Sequence, residues 1–439
     1  MKLRIYPISL GCPKTKVDTE RLLGSLAPVE LVEQIDQCDL VFLNTCSFIQ
    51  PAVQESVQTI LEAAADMEDL PNEERPLLAV AGCLPARYGV EELARELPEV
   101  NLWLNLDEIS NWPQMIKAAL NKRDTSRFSS IQTIPGRVAP LPPSYAYLKI
   151  SEGCEHVCAF CTIPSIRGPL QSFKREHLLR EAEMLVNQGA KELVLVAQDL
   201  TAYGRDLNDK LALQSLLEGL GKITGLARLR LMYLYPSGLN RDFLNFLKNL
   251  DAPLLPYFDV PVQHSHPEIL ANMGRPFAKN SAKTIDLIRE IFPEAALRTS
   301  LIVGYPGETE KHFKHLLNFV QEMRFNNLGV FAYQQEDGTR AALLSEQIED
   351  SIKEERRDLI MQIQAEISEE ILSAQLNGQV DILVDEPQGE WPNLWIGRAW
   401  FQAPEVDGIT YISGDNLQPG DLVTAEIVET GPYDLQALA

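Results

Sequence analysis

The chain has 439 residues, is 45% hydrophobic and 23% charged, and carries a formal net charge of −23; this composition suits a folded protein of roughly three domains. No stretch reaches the ~18 consecutive apolar residues of a membrane span, and the opening Met1–Ser9 reads as a strand without a signal-peptide core, so a cytoplasmic location is expected, with the seven cysteines reduced. The strong negative charge argues against a general nucleic-acid binder, which carries a basic surface, and direct nucleic-acid or membrane binding is not expected.

From Met1 to about Arg123, short apolar runs alternate with helical patterns, which predicts an open parallel α/β domain. Strands are expected at Leu3–Ser9, Leu40–Asn44, Leu77–Ala81 and Asn101–Leu104, and helices at Asp18–Leu26, Pro51–Met67, Glu91–Leu97 and Glu108–Lys122. Cys12, Cys46 and Cys83, separated by 34 and 37 residues, each fall just past the end of a predicted strand. Loops after the carboxyl ends of parallel strands emerge on one edge of the sheet. The three thiolates therefore converge and leave one metal position open. Buried core thiols are the alternative, but Gly11-Cys12-Pro13, Asn44-Thr45-Cys46 and Gly82-Cys83 place all three beside turn residues. Cys38 precedes its strand, belongs to the opposite edge, and is excluded.

Asn121–Pro143 turns polar and then proline-rich, with Pro135, Pro140, Pro142 and Pro143, as a stiffened linker does. The next strand, Tyr145–Ile150, leads into S-E-G-C-E-H-V-C-A-F-C-T-I-P-S-I-R-G, where Cys154, Cys158 and Cys161 form a C-x3-C-x2-C array within eight residues. Three thiolates cannot close a tetrahedral zinc site, whereas on a four-iron cluster they leave one iron open for a ligand. A thioredoxin-like Cys158–Cys161 pair would leave the third cysteine unexplained.

Helical and strand patterns then alternate over about six βα units, which predicts a partial TIM-like barrel with its functional loops at the strands' carboxyl ends. Further strands are expected at Glu192–Ala197, Leu229–Leu234, Tyr257–Val262, Ala296–Val303 and Asn327–Tyr333. Gln198 and Asp199 stand at one strand end, to bind a ligand or cap the next element. Gly304 and Gly307 stand at another, where glycine permits close backbone approach. His264 and His266 invite a metal reading, but hydrogen bonding is preferred. Ser351–Gln375 carries Ile352, Leu359, Ile360, Ile363, Ile367 and Ile371, a helical stripe. After Gly378 the short runs Val380–Val384, Ile409–Ile412 and Leu422–Val428 predict a five-stranded barrel of roughly sixty residues. Between Leu376 and Ala439 eleven residues are acidic and only Arg398 is basic. Asp381, Asp385, Glu405 and Asp407 are expected to face a basic partner.

The motifs S-L-G-C-P-K, N-T-C and A-G-C, followed by C-x3-C-x2-C, resemble the radical S-adenosylmethionine (SAM) methylthiotransferase family. L-G-C-P-K-x-x-V-D, A-Q-D-L-T-A-Y-G, T-S-L-I-V-G-Y-P-G-E and G-R-A-W-F-Q-A-P-E-V-D-G are similar to its ribosomal-protein-modifying branch. Thr15, Thr19 and Gln402 depart from that branch's usual residues, and all six cysteines of the motifs are retained. The resemblance implies an α/β protein in four parts: an amino-terminal domain with an auxiliary cluster (1–125), a linker (126–142), a radical SAM domain (143–374) and a small β-barrel of the TRAM type (375–439). It implies two [4Fe-4S] clusters, an auxiliary one on Cys12, Cys46 and Cys83 and a SAM-cleaving one on Cys154, Cys158 and Cys161, with SAM contacts at Gln198, Asp199, Gly304 and Gly307. The implied reaction methylthiolates the β-carbon of an aspartate in small-ribosomal-subunit protein twelve, with SAM as methyl donor and radical source and a reductant such as flavodoxin. A tRNA adenosine methylthiotransferase and a non-catalytic iron–sulfur or sulfur-carrier protein are the alternatives.

Overall fold

The structure, a computed structural model of the full chain, describes residues 2–124, 128, 136–138, 144–275 and 281–439. The linker prolines lie outside the described residues. The chain divides into two compact units, Met1–Ala139 with Cys161–Pro169, and Pro140–Phe160 with Leu170–Ala439.

The first unit is built on five strands, β1 Leu3–Ser9, β2 Val29–Leu31, β3 Leu40–Thr45, β4 Leu77–Gly82 and β5 Leu102–Leu104, in the order β2-β1-β3-β4-β5. Every pairing is parallel. Residues of β3 alternate between two cores, Leu40 and Phe42 on one face and Val41 and Leu43 on the other, so helices cover both sides. Full burial of each such side chain contributes about 1.5–3 kcal/mol. The first helix, Pro13–Ser25, starts five residues before the expected Asp18, because Pro13 sits at its first turn, where no amide donor is needed. Strand β2, V-E-L with two of its three residues exposed, has no apolar run to announce it. The short helix Cys83–Tyr88, which begins on the cysteine itself, also goes beyond the sequence expectation.

In the second unit, β6 Tyr145–Lys149 leads to a two-stranded ladder of β7 Ser151–Glu152 and β8 Gln171–Ser172. The main sheet continues with β9 Glu192–Val196, β10 Arg228–Leu231, β11 Leu254–Asp259, β12 Ala296–Val303 and β13 Asn327–Ala332. Its six strands run in the order β13-β12-β11-β10-β9-β6, all parallel. The helix Asp350–Ser373 packs on β13, but its buried face differs from the predicted stripe. Lys353, Arg356, Ile360, Gln364, Ile367, Ser368 and Leu372 are buried, while Ile352 and Leu359 are 40% and 41% exposed. Two of the polar members reach across the interface: Arg356 donates to Glu308 at 2.7 Å and Gln364 Nε2 to the Phe325 carbonyl at 2.8 Å.

The carboxyl-terminal segment forms a closed five-stranded barrel of β14 Gln379–Pro387, β15 Leu394–Ala399, β16 Thr410–Ser413, β17 Leu422–Thr430 and β18 Leu435–Leu438, in the order β14-β15-β16-β18-β17. It docks at the sheet's amino-terminal edge, opposite the loops that follow the strands. Buried Arg398 donates to Glu192 at 2.9 Å and to Asp385 at 2.7 Å. Arg228 donates to the carbonyls of Arg398 and Asp381. This corrects the expectation for the acidic residues. Asp385 also accepts from Ser144, Glu405 from Tyr145 and Tyr147, and Asp407 from Arg298 and Tyr257. The fourth, Asp381, accepts from Thr424 within the barrel. Three of the four carboxylates are thus committed to the sheet, since the barrel must meet a row of buried arginine and tyrosine side chains.

Candidate metal centres

The carboxyl ends of β1, β3 and β4 are neighbours, with Ser9 beside Asn44 and Asn44 beside Ala81. Cys46 and Cys83 follow β3 and β4 directly, and Cys12 precedes the first helix as its N-cap residue. The loops are tied together. Leu10 N donates to Asn44 O, the Asn44 amide donates to Thr15 O and Thr19 Oγ1, and Leu84 N donates to Thr45 Oγ1. Ser56 Oγ clasps Cys46, accepting from its N–H and donating to its carbonyl. Gly11, at φ +88°, is required here: a Cβ on it would lie 2.6 Å from Cys46 Cβ and 2.9 Å from its Sγ.

The thiols differ in electrostatics. Burial pushes Cys46 up to about 11, reinforced by the neighbouring Cys83 and Cys12. Cys12 feels the same burial, yet Lys14, Arg167 and the Thr15 hydrogen bonds bring it down to about 7. Arg167 Nη2 donates to Cys83 Sγ at 3.4 Å. Three thiols backed by two cations suit a thiolate-bound iron–sulfur group. Ser47 Oγ is buried without a hydrogen-bond partner, a polar atom left for a group held there. Cys38 stands apart from this set. It lies at the amino-terminal side of β3 and donates to Ile35 O, and burial pushes it up to about 12.

In the second unit, Cys154 and Cys158 lie on the loop after β7. Cys154 Sγ accepts from His156 N at 3.4 Å, and burial pushes this thiol up to about 11. Arg275 Nη1 donates to Cys158 Sγ at 3.6 Å, its Nη2 donates to Pro261 O, and its guanidinium lies 4.4 Å from the Tyr235 ring centroid. His156 stacks on the same Tyr235 ring at 3.9 Å between centroids, and its Nε2 meets Asp199 Oδ2 at 2.7 Å. Cys161 Sγ accepts from Ile163 N at 3.4 Å, within the segment that belongs to the first unit.

Asp199 therefore has structural duties, since its other oxygen caps the next turn through Thr201 N at 2.8 Å. Gln198 Oε1, in contrast, is buried with no partner, as a ligand-facing acceptor would be. Gly304 has φ +71°, and a Cβ there would lie 2.2 Å from Lys353 Cγ; the missing side chain makes room for the long helix. Gly307, at φ +83°, faces Glu346. The Gly304 amide donates to Glu308, which Arg356 holds from the other side.

His264 and His266 are hydrogen-bonding residues. His264 Nδ1 accepts from His266 N and His266 Nδ1 from Glu268 N. Among the described residues, His266, Glu268 and His312 bring donor atoms within 4.8 Å. His312 Nδ1 accepts from Thr309 N, so the Nδ1 lone pairs of both imidazoles are engaged by backbone amides. His312 Nε2 lies 3.4 Å from Glu268 Oε2. His156, Arg167, Tyr235 and Arg275 were missed in the sequence. The signal was partial: His156 stands between two cysteines and Arg167 six residues past the third.

The parallel sheets and the two thiolate sets define a protein of the radical SAM class. Residues 148–320 match the radical SAM superfamily, 4–105 the uncharacterized protein family UPF0004, and 378–439 the TRAM domain. The fold is similar to the radical S-adenosylmethionine methyltransferase TsrM of Kitasatospora setae, at a TM-score of 0.54 and 14% identity over 76% of this chain and 75% of that one. It is also similar to the cobalamin-dependent radical enzyme OxsB, at 0.52 and 14% over 81% and 56%.

The chain is 56% identical to the ribosomal protein uS12 methylthiotransferase RimO of Nitratidesulfovibrio vulgaris strain Hildenborough over the whole of both chains. It is 53% identical to that of Lawsonia intracellularis over 100% of this chain and 98% of the relative, and 41% identical to that of Aquifex aeolicus over 99% and 96%. The chain belongs to the RimO methylthiotransferase family.

Proposed function

We propose that this protein methylthiolates the β-carbon of an aspartate in ribosomal protein uS12, using SAM as methyl donor and radical source. The convergence of Cys12, Cys46 and Cys83 on one sheet edge carries the reading. It gives the chain a second thiolate set besides the C-x3-C-x2-C loop, and sulfur transfer needs a centre of its own. Deprotonating an unactivated C–H is beyond ordinary side-chain bases, so bound cofactors supply the one-electron chemistry and the transferred sulfur. Cys154, Cys158 and Cys161 hold one [4Fe-4S] cluster, and Cys12, Cys46 and Cys83 hold the other. Arg275 and His156 position the first loop through Cys158, Asp199 and Tyr235, and Gln198 offers its free carbonyl to SAM. The chain's parts are an amino-terminal domain to about residue 125, a linker, the radical SAM domain from 143 and the barrel from 375.

A flavodoxin-like donor supplies electrons, and the protein works in the cytoplasm; no helix among the described residues is long and apolar enough to cross a membrane. The tRNA alternative finds no support in the barrel. Its single basic residue, Arg398, is 2% exposed, and phosphates need accessible cations. Intact-mass analysis of ribosomal proteins from cells with and without the gene tests the reading. A methylthio increment on uS12 that depends on the gene is expected, and an unchanged uS12 together with altered tRNA would overturn it.

A further inference from the structure

The peptide that follows the third cysteine of the C-x3-C-x2-C array is part of the first unit. Thr162 Oγ1 donates to Phe48 O at 3.1 Å, and the short helix Ile163–Arg167 buries Ile166 at 3% exposure. Its last residue, Arg167, has a side chain only 1% exposed. One guanidinium nitrogen lies 3.4 Å from Cys83 Sγ and another 3.5 Å from Asp18 Oδ2, whose own side chain is also 1% exposed. Arginine presents a fixed planar fork of donors. Here Asp18, from the motif L-G-C-P-K-x-x-V-D, holds one tine of the fork while another points at sulfur.

We infer that Arg167 is a positioning residue of the auxiliary centre, which holds the Cys83 thiolate through an N–H···S bond and raises the reduction potential of the cluster bound there. The inference rests on the reading that Cys12, Cys46 and Cys83 carry an iron–sulfur cluster. Reduction adds negative charge to the cluster, and a buried cation with a hydrogen bond to one ligand sulfur favours that state. Asp18 acts through Arg167, setting its orientation. A single stretch of seven residues thus carries a ligand of one centre at Cys161 and a tuning group of the other at Arg167.

The test uses the full-length chain with Cys154, Cys158 and Cys161 replaced by Ala, so that iron reports on the auxiliary centre alone. Iron content and the one-electron midpoint by EPR-monitored titration are measured in this parent and with Arg167→Gln or Arg167→Lys added. Arg167→Gln is expected to make reduction at least tenfold less favourable, a negative shift of 59 mV or more. Arg167→Lys, which keeps the charge without the fork, is expected to shift it by less. Where Arg167→Gln holds no iron, Arg167→Lys decides: a shifted potential supports the inference and an unshifted one overturns it. Full iron and an unchanged midpoint in Arg167→Gln also overturn it. A parent that binds no iron removes the cluster reading itself, an outcome distinct from an iron-loaded parent insensitive to Arg167.

Discussion

Arg398 of the carboxyl-terminal barrel donates to Glu192 at the amino-terminal edge of the central sheet, at 2.9 Å, with both side chains essentially sealed from solvent. Glu192 is shared, since its second oxygen accepts from Arg230 at 2.6 Å. Replacing Glu192 by Gln leaves two buried guanidinium groups without their common carboxylate, and is expected to cost about 3–5 kcal/mol. Urea unfolding compares it with the parent. The effect has a pH signature. Burial alone would push the Glu192 carboxyl up, but Arg230 and Arg398 bring it down to about 2, from an ordinary 4.5. Its contribution is therefore fully present above about pH 4.5 and is lost as pH falls toward 2. The difference in unfolding free energy between wild type and Glu192→Gln should shrink across that window; a constant difference would show that charge has no part in the docking.

The acidic residues of the barrel separate into two sets. Asp407, its side chain fully buried, accepts from Arg298, Tyr257 and Ala403 N, so Asp407→Asn should lower the unfolding midpoint by several degrees in a thermal melt. Glu386, Glu390, Glu426 and Glu429 are exposed. Neutralising these four should leave the melt unchanged, raise the apparent KM for uS12 several-fold and flatten its salt dependence. An unaltered KM would remove the exposed acids from substrate recognition.

Gln198 and Asp199, adjacent in sequence, should answer differently to alanine. Asp199→Ala removes a turn cap and the His156 contact, and about 1 kcal/mol of stability with the cap. Gln198→Ala removes a buried carbonyl that the protein itself leaves unsatisfied, and should weaken SAM binding without loss of stability. Equilibrium binding of SAM to the cluster-loaded enzyme and a parallel melt distinguish the two.

Replacing Cys12, Cys46 and Cys83 by Ala should halve an iron content of about eight per chain while SAM cleavage persists and no methylthio group is delivered. Cys38→Ala should change neither iron nor activity, because that thiol is buried against Ile35 on the far side of its strand. Loss of iron on Cys38→Ala would require a different ligand set.

The sequence by itself determined where most of the parallel strands run, β2 excepted, and where the cysteines fall along them, while β7, β8, β15 and β18 were not legible in it. An apolar run such as Leu40–Thr45 can satisfy its burial only inside a sheet, and the turn residues after it place Cys46 at an edge. Local periodicity and spacing carry that much, since they depend on neighbours a few residues away. The tertiary structure alone decided which charges are spent internally. The pairs Arg167–Cys83 and Arg398–Glu192 span 84 and 206 residues, beyond any local pattern. The same holds for the helix Asp350–Ser373, where Arg356 and Gln364 turn inward because buried partners await them. An acidic or basic residue reads alike in sequence whether it faces water or a buried counter-charge. Only the packed partner, through the cost of leaving a buried charge unpaired, settles which.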